Sequence, residues 1–268
     1  MKGHMPEELF SVPEDLLPLL TEQLREQMNN LFAVAGLIGP VVREQQGGRY
    51  DQYLAIMNQN LYRMLRTVNN LEFLQLPREF PVREECLDLA GLCRELADQT
   101  AALARQMEVR FTYESELKTL LTCADAALLR RMALHLISNA LRAAGRQGQA
   151  GFRLTQARER AILTVWDSGP GMPFDGETES SPRPVEGLGI GLTVAQRIAE
   201  LHGGALVLEQ REERGLRAVV SLPIRPPEDS QTLRSPKMGY DAEGGFPPVL
   251  VELSSVLPYQ AFLPEDVE

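Results

Sequence analysis

Three short groups of residues in this 268-residue chain combine side chains and spacing suited to holding a phosphorylated ligand. The run Ala133–Arg142 carries His135, Asn139 and Arg142 within a helical pattern. Asp167, Gly169 and Gly171 follow directly on a strand-like run. Gly187, Gly189, Gly191 and Leu192 lead into another helix. Glycines before a helix let backbone N–H groups approach phosphate closely, and the helix N-terminus favours negative charge. The neutral oxygen of Asn139 suits a hard cation such as Mg²⁺, which also keeps phosphate and water ligands. Arg142 lies one turn further along the same helix face and can meet phosphate. The Asp167 carboxylate can accept a hydrogen bond from an exocyclic amine. Adenine has that donor at position 6, whereas guanine has a repelling carbonyl, so one buried carboxylate discriminates between them. Each group alone is a common pattern. Their order and structural contexts together point to a nucleotide.

The elements that position these groups follow from hydrophobic spacing. Leu20, Leu24, Met28, Leu31, Ala35, Ile38 and Val42 share one helix face from about Pro13 to Gln46, with a kink expected near Pro40. Gly47-Gly48 breaks the chain. A second helix runs from about Arg49 to Leu76 through Leu54, Met57, Leu61, Met64, Val68, Leu71 and Leu74. Two long helices with a short connection make an antiparallel hairpin. A hairpin alone buries too little, so it needs a partner. A second copy gives a dimeric four-helix bundle, and packing back onto its own domain is the alternative. Beyond Pro77 and Pro81 the texture changes. Helices are expected over Leu87–Met107, Ala124–Ala144 and Gly191–His202, and strands over Val109–Tyr113, Gly151–Gln156, Ala161–Trp166, Ala205–Gln210 and Arg217–Leu222. That order predicts an α+β fold, an α/β sandwich with helices on one face of a sheet. The expected units are a tail at 1–13, the hairpin at 14–78, the sandwich at 82–223 and a proline-rich tail at 224–268. Within that last tail, Val249–Leu263 is apolar enough to dock on the body or on a partner.

Composition narrows the function. The net charge is −10, opposite to that of a general nucleic-acid or anionic-membrane binder. No apolar run reaches the roughly 18–20 residues that cross a bilayer. The first residues, MKGHMPEELF, lack the basic and apolar regions of a signal peptide, so a cytoplasmic location is expected. The three cysteines, Cys86, Cys93 and Cys123, lack zinc-site spacing and read as small buried hydrophobes. Of the three histidines, His202 reads as structural near a helix end, whereas His135 can orient water or contact Mg²⁺ through water.

The region from about Val82 to Pro223 resembles the ATP-binding domain of the GHKL ATPase superfamily, and most closely that of sensor histidine kinases. Ser138-Asn139-Ala140 is similar to their N box, Asp167-x-Gly169-x-Gly171 to their G1 box and Gly187-x-Gly189-x-Gly191-Leu192 to their G2 box. The resemblance implies that Asn139 binds Mg²⁺, that Asp167 binds the adenine of ATP and that the glycine boxes flank a lid, here Met172–Glu186. It also implies that the hairpin stands where these kinases keep their dimerisation and phosphotransfer domain, so the likeness covers about residues 20–223. A response regulator is then a candidate partner. One departure is chemical: Glu26 occupies the aligned phosphoacceptor position, and no histidine lies between His4 and His135. Autophosphorylation therefore lacks its imidazole nucleophile. Glu26, Asn29 and Asn30 also resemble the carboxylate and amide pairs with which related phosphatases orient water toward an aspartyl phosphate. The reading is a histidine-kinase-like, ATP-binding protein of a two-component pathway, degenerate in autophosphorylation. The alternatives are an ATP-sensing scaffold without catalysis, a response-regulator phosphatase, and a serine kinase of the anti-sigma type.

Overall fold

The computed structural model describes residues 16–46, 48–171, 190–226 and 246–263. Helices α1 (Leu16–Gln46) and α2 (Asp51–Gln75) form the expected hairpin. Helix α1 continues through Pro40. Its inward face buries Thr21 and Met28, and Phe32 stands edge-on to Tyr62 of α2 with ring centroids 5.6 Å apart. Arg25 fixes the register by donating to Glu72 Oε1 and Asn69 Oδ1, both at 2.7 Å.

The second unit opens with strand β1 (Glu85–Asp88) and helix α3 (Leu89–Gln106), followed by strands β2 (Arg110–Glu114) and β3 (Leu121–Ala124). Helix α4 (Ala126–Ala144) leads to the long strands β4 (Gln149–Ala157) and β5 (Arg160–Asp167). Helix α5 (Ile190–Leu201), β6 (Ala205–Gln210) and β7 (Leu216–Pro223) complete it. The main sheet has the order β2-β4-β5-β7-β6, with β2 parallel to β4 and the other pairs antiparallel. Helices α3, α4 and α5 cover one face, giving the expected α+β sandwich. Alternation drives this packing. Phe152 and Leu154 of β4 stand opposite Val165 and Leu163 of β5, which in turn stand opposite Ala218 and Val220 of β7, and all six are buried.

Two short strands depart from the sequence expectation. Leu87 and Asp88 belong to β1 rather than to α3, and Ala124 belongs to β3 rather than to α4. β1 and β3 pair antiparallel as a separate ribbon that places Cys86 opposite Cys123. Asp88 and Asp125 cap the helices that follow by accepting from Ala90 N–H and Leu128 N–H. Cys86 and Cys93 are buried and Cys123 is half-buried, with the Cys86 and Cys123 sulfurs 2.7 Å apart across the ribbon. His202 is structural, as expected: Nδ1–H donates to the Ile198 carbonyl at 2.8 Å, and Nε2 accepts from Asp125 N–H at 3.2 Å.

The hairpin and the sandwich meet along α2. Arg197 of α5 donates to the carbonyls of Phe73, Leu74, Leu76 and Pro77 at the end of α2. This satisfies carbonyls that a helix C-terminus leaves unpaired. The apolar C-terminal segment docks as the sequence suggested. Helix α6 (Pro248–Leu253) and a 3₁₀ turn (Tyr259–Phe262) pack against α2 and α4. Among the described residues, no helix is long and apolar enough to cross a membrane.

Candidate functional site

Strand β5 buries Ala161, Leu163, Val165 and Asp167, so the period of two carries a carboxylate onto the core face at the strand's end. Asp167 is 4% exposed. Its Oδ1 accepts from Gly169 N–H at 2.8 Å and Leu216 N–H at 3.4 Å, and its backbone carbonyl accepts from Arg211 at 2.7 Å. Burial raises the Asp167 pKa above the usual carboxylate value, against the opposing pull of the Gly169 and Leu216 N–H groups and Arg211.

The glycines around Asp167 are required by contact. A Cβ on Gly169 would lie 2.4 Å from the Ala143 carbonyl oxygen at the end of α4. A Cβ on Gly215, where φ is +101°, would lie 2.0 Å from the Asp167 carbonyl oxygen. Gly171 also has positive φ, +79°, and backs onto the Gln210 side chain. The turn after β5 is thereby pressed against α4 and β7, and Asp167 is held at a fixed depth.

Helix α4 is buried almost all round from Met132 to Ser138, because the sheet lies on one side and α2, α5 and α6 on the other. His135 is fully buried, Asn139 half-buried and Arg142 exposed. Their spacing of four and three puts them in one row along the helix. Arg66 of α2 donates to His135 Nδ1 at 3.2 Å, which leaves the proton of the neutral ring on Nε2. Burial pushes the His135 pKa down to about 4; Glu252 opposes this, while Arg66 and Arg131 reinforce it. Gly191, at the start of α5, abuts this ring: a Cβ there would come within 3.1 Å of His135 Nδ1. Leu192 follows, half-buried, on the same first turn.

The structure thus brings together His135 of α4 and Gly191 of α5, and sets Gly169 of the β5 turn against the far end of α4. Gly187, Gly189 and the expected lid Met172–Glu186 lie outside the described residues. Glu26, Asn29 and Asn30 stand apart from this site, exposed on α1.

The residues present fit a magnesium nucleotide. Asp167 is a buried carboxylate at the strand's end, the turn after it carries Gly169 and Gly171, and the half-buried amide of Asn139 stands in a row with Arg142. No group of three or more His, Cys, Asp or Glu side chains capable of holding a metal occurs among the described residues.

Four residues near this site were not singled out from the sequence: Arg66, Arg131, Glu252 and Ser255. Glu252 is 4% exposed and lies 3.1 Å from Arg66 Nε, 3.4 Å from Arg131 Nε and 3.4 Å from His135 Nε2. Its signal in the sequence is an acid inside an apolar run, Leu250-Val251-Glu252-Leu253. An acid on a segment that docks needs a buried cation.

Comparison with known proteins agrees with this geometry. Residues 124–226 match the family of histidine kinase-, DNA gyrase B- and HSP90-like ATPases. Sensor histidine kinase ZraS of Salmonella typhimurium is 31% identical over 207 residues, covering 74% of this chain and 44% of that protein. The chain therefore spans less than half the length of that relative. Full-length ShkA, solved with AMPPNP, superposes with a TM-score of 0.62 at 22% identity, covering 81% of this chain and 47% of that one. Histidine kinase ThkA, solved in complex with the response regulator protein TrrA, gives 0.53 at 23%, covering 79% and 63%. At such identities these two structures speak to the fold, and they include the hairpin as well as the sandwich. Residues 124–226 thus belong to that ATPase family, and the chain is similar in sequence to sensor histidine kinases and in fold to solved ones.

Proposed function

We propose that the chain binds Mg-ATP and acts in two-component signalling as a dimer, without phosphorylating itself on a histidine of its hairpin. Asp167 accepts the adenine amine, Asn139 ligates Mg²⁺, and Arg142 with the backbone around Gly187, Gly189, Gly191 and Leu192 meets the phosphates. Gly169 and Gly171 shape the turn beside the base. The magnesium ion supplies charge neutralisation for the phosphates. The observation that carries this reading is the buried, inward-facing Asp167 set beside α4. In this reading residues 14–78 are the dimerisation and phosphotransfer-like unit and 82–223 the nucleotide unit.

The dimer reading rests on α1. Leu17, Leu20, Leu24, Leu31, Ile38 and Val41 remain 42–50% exposed, although α2 already packs against the sandwich. Such a stripe fits a second hairpin better than water. Sedimentation of the intact chain at micromolar concentration is expected to give a dimer, and Leu31→Glu with Ile38→Glu a folded monomer. A wild-type monomer at that concentration would contradict the reading.

Incubation with γ-labelled ATP tests the missing nucleophile. The chain is expected to take up no acid-labile, base-stable label on α1, and the single change Glu26→His is expected to introduce it. Label of that type on the wild-type chain would contradict the proposal. A second reading follows from the exposure of Glu26, Asn29 and Asn30 on one stretch of α1, where a regulator could reach them. If the chain is a phosphatase, Asn29→Ala with Asn30→Ala removes its release of phosphate from phosphorylated response regulators. Unchanged release by that variant would end this second reading.

A further inference from the structure

The C-terminal segment 246–263 binds where the nucleotide site ends. Helix α2 presents a polar row to it. Gln59 donates to the Leu257 carbonyl at 2.6 Å, and Arg63 donates to the Ser254 carbonyl at 3.1 Å. Arg66 donates to Glu252 and to the Ser255 hydroxyl. Apolar anchors flank the row: Leu253, Leu257 and Phe262 are buried, and the Phe262 ring lies 5.3 Å from that of Tyr62.

The same segment also touches the functional row of α4 at both ends. Glu252 faces His135 Nε2 at 3.4 Å, and the Ser255 hydroxyl accepts from Arg142 at 2.8 Å. Asn139 lies between those two positions on the helix. Arg66, which holds Glu252, is also beside the start of α5: a Cβ on Gly191 would lie 3.8 Å from its Nη2. A carboxylate and a hydroxyl held by arginines next to a helix N-terminus occupy the kind of environment that attracts phosphate. The fit is incomplete. His135 Nε2 and Arg131 Nε lie near the carboxylate but make no hydrogen bond within the described structure. Buried donors without good partners cost free energy, so an anion that satisfied them would compete well.

We propose that this segment is a built-in competitor of the nucleotide: its docking by Glu252 and Ser255 and the binding of Mg-ATP along α4 exclude one another. The proposal rests on the nucleotide reading above. Glu252 and Ser255 engage His135 and Arg142, so ATP binding requires their withdrawal. By reciprocity, a signal that draws the segment away raises ATP affinity by the same factor that ATP loosens the segment.

The test uses the full-length chain and a Leu257→Asp variant, which places a charge in the apolar anchor and alters no residue of α4. Calorimetric titration with Mg-ATP is expected to show binding about 10-fold tighter in the variant than in the wild type. Hydrogen exchange on the wild type supplies a readout independent of any variant: saturating Mg-ATP is expected to speed exchange of the amides of Val251, Ser254, Val256 and Leu257. Equal ATP affinity in the two chains, or amides that become more protected with ATP, would overturn the proposal and leave the nucleotide reading standing. No binding to either chain would overturn both.

Discussion

Asp167→Asn is expected to leave the fold intact and to weaken Mg-ATP binding by about 100-fold. Asparagine keeps a side-chain oxygen for the Gly169 and Leu216 N–H groups that Asp167 holds. It replaces the remaining acceptor with an N–H donor, which meets the adenine amine donor to donor. Burial also disfavours the Asp167 charge, raising its pKa, so the neutral variant is expected to be at least as stable as the wild type without nucleotide. Asp167→Ala behaves differently, because it removes the acceptor that anchors the turn. It is expected to lose both the ATP response and about 1–3 kcal/mol of stability. Urea unfolding with and without Mg-ATP separates the two variants. An Asp167→Asn chain that binds ATP as tightly as the wild type would remove Asp167 from the base contact.

Acid is expected to weaken the fold through His135. The ring takes a proton at about 6.5 when free and only at about 4 in the folded protein, chiefly because it is buried. Between those values the unfolded chain binds the extra proton and the folded chain does not. Stability is therefore complete above pH 6.5 and falls as the pH drops through the window, by about 2 kcal/mol between pH 6.5 and 5 and about 3 by pH 4. The charged groups facing the ring are Glu252, Arg66 and Arg131, and the arginines reinforce the neutral form. Asp167 acts in the opposite sense, since its burial penalty vanishes as it protonates. Comparison with His135→Asn isolates the histidine. Urea unfolding of the wild type at pH 7 and pH 5 is expected to show the loss, and the variant a smaller one. Parallel pH profiles would show that His135 titrates in the folded state as it does in water. The same burial keeps His135 neutral at ordinary pH, so the ring is a dipole rather than a cation.

The strands and helices that carry the site were legible because their periods are unbroken. Ala161, Leu163 and Val165 alternate inward, and the next inward position is Asp167, so its depth could be read before the fold was known. Asn139 and Arg142 could be placed on one face of α4 from their spacing alone. The ribbon β1–β3 was not legible. Its strands have four residues each, too short for a period, and Leu87 is spaced as though it belonged to α3. Asp88, the cap of α3, was the local sign of the boundary. The charged junction was hidden for a different reason. Glu252 and Arg66 are 186 positions apart, and each looks ordinary in its own stretch of sequence. Only the fold shows that α2, α4 and α6 bring two arginines, a histidine and a glutamate to one point. That junction also corrects the simplest picture of the hairpin. It packs back on its own domain through α2, while α1 keeps an exposed apolar stripe.

The central claim is an adenine nucleotide site under the end of β5. Calorimetric titration of Mg-ATP and Mg-GTP into the intact chain, and into the Leu257→Asp chain, tests it most directly. The expected result is saturable binding of ATP, one per chain, with no measurable binding of GTP. Failure of ATP to bind either chain, or equal binding of the two nucleotides, would contradict it.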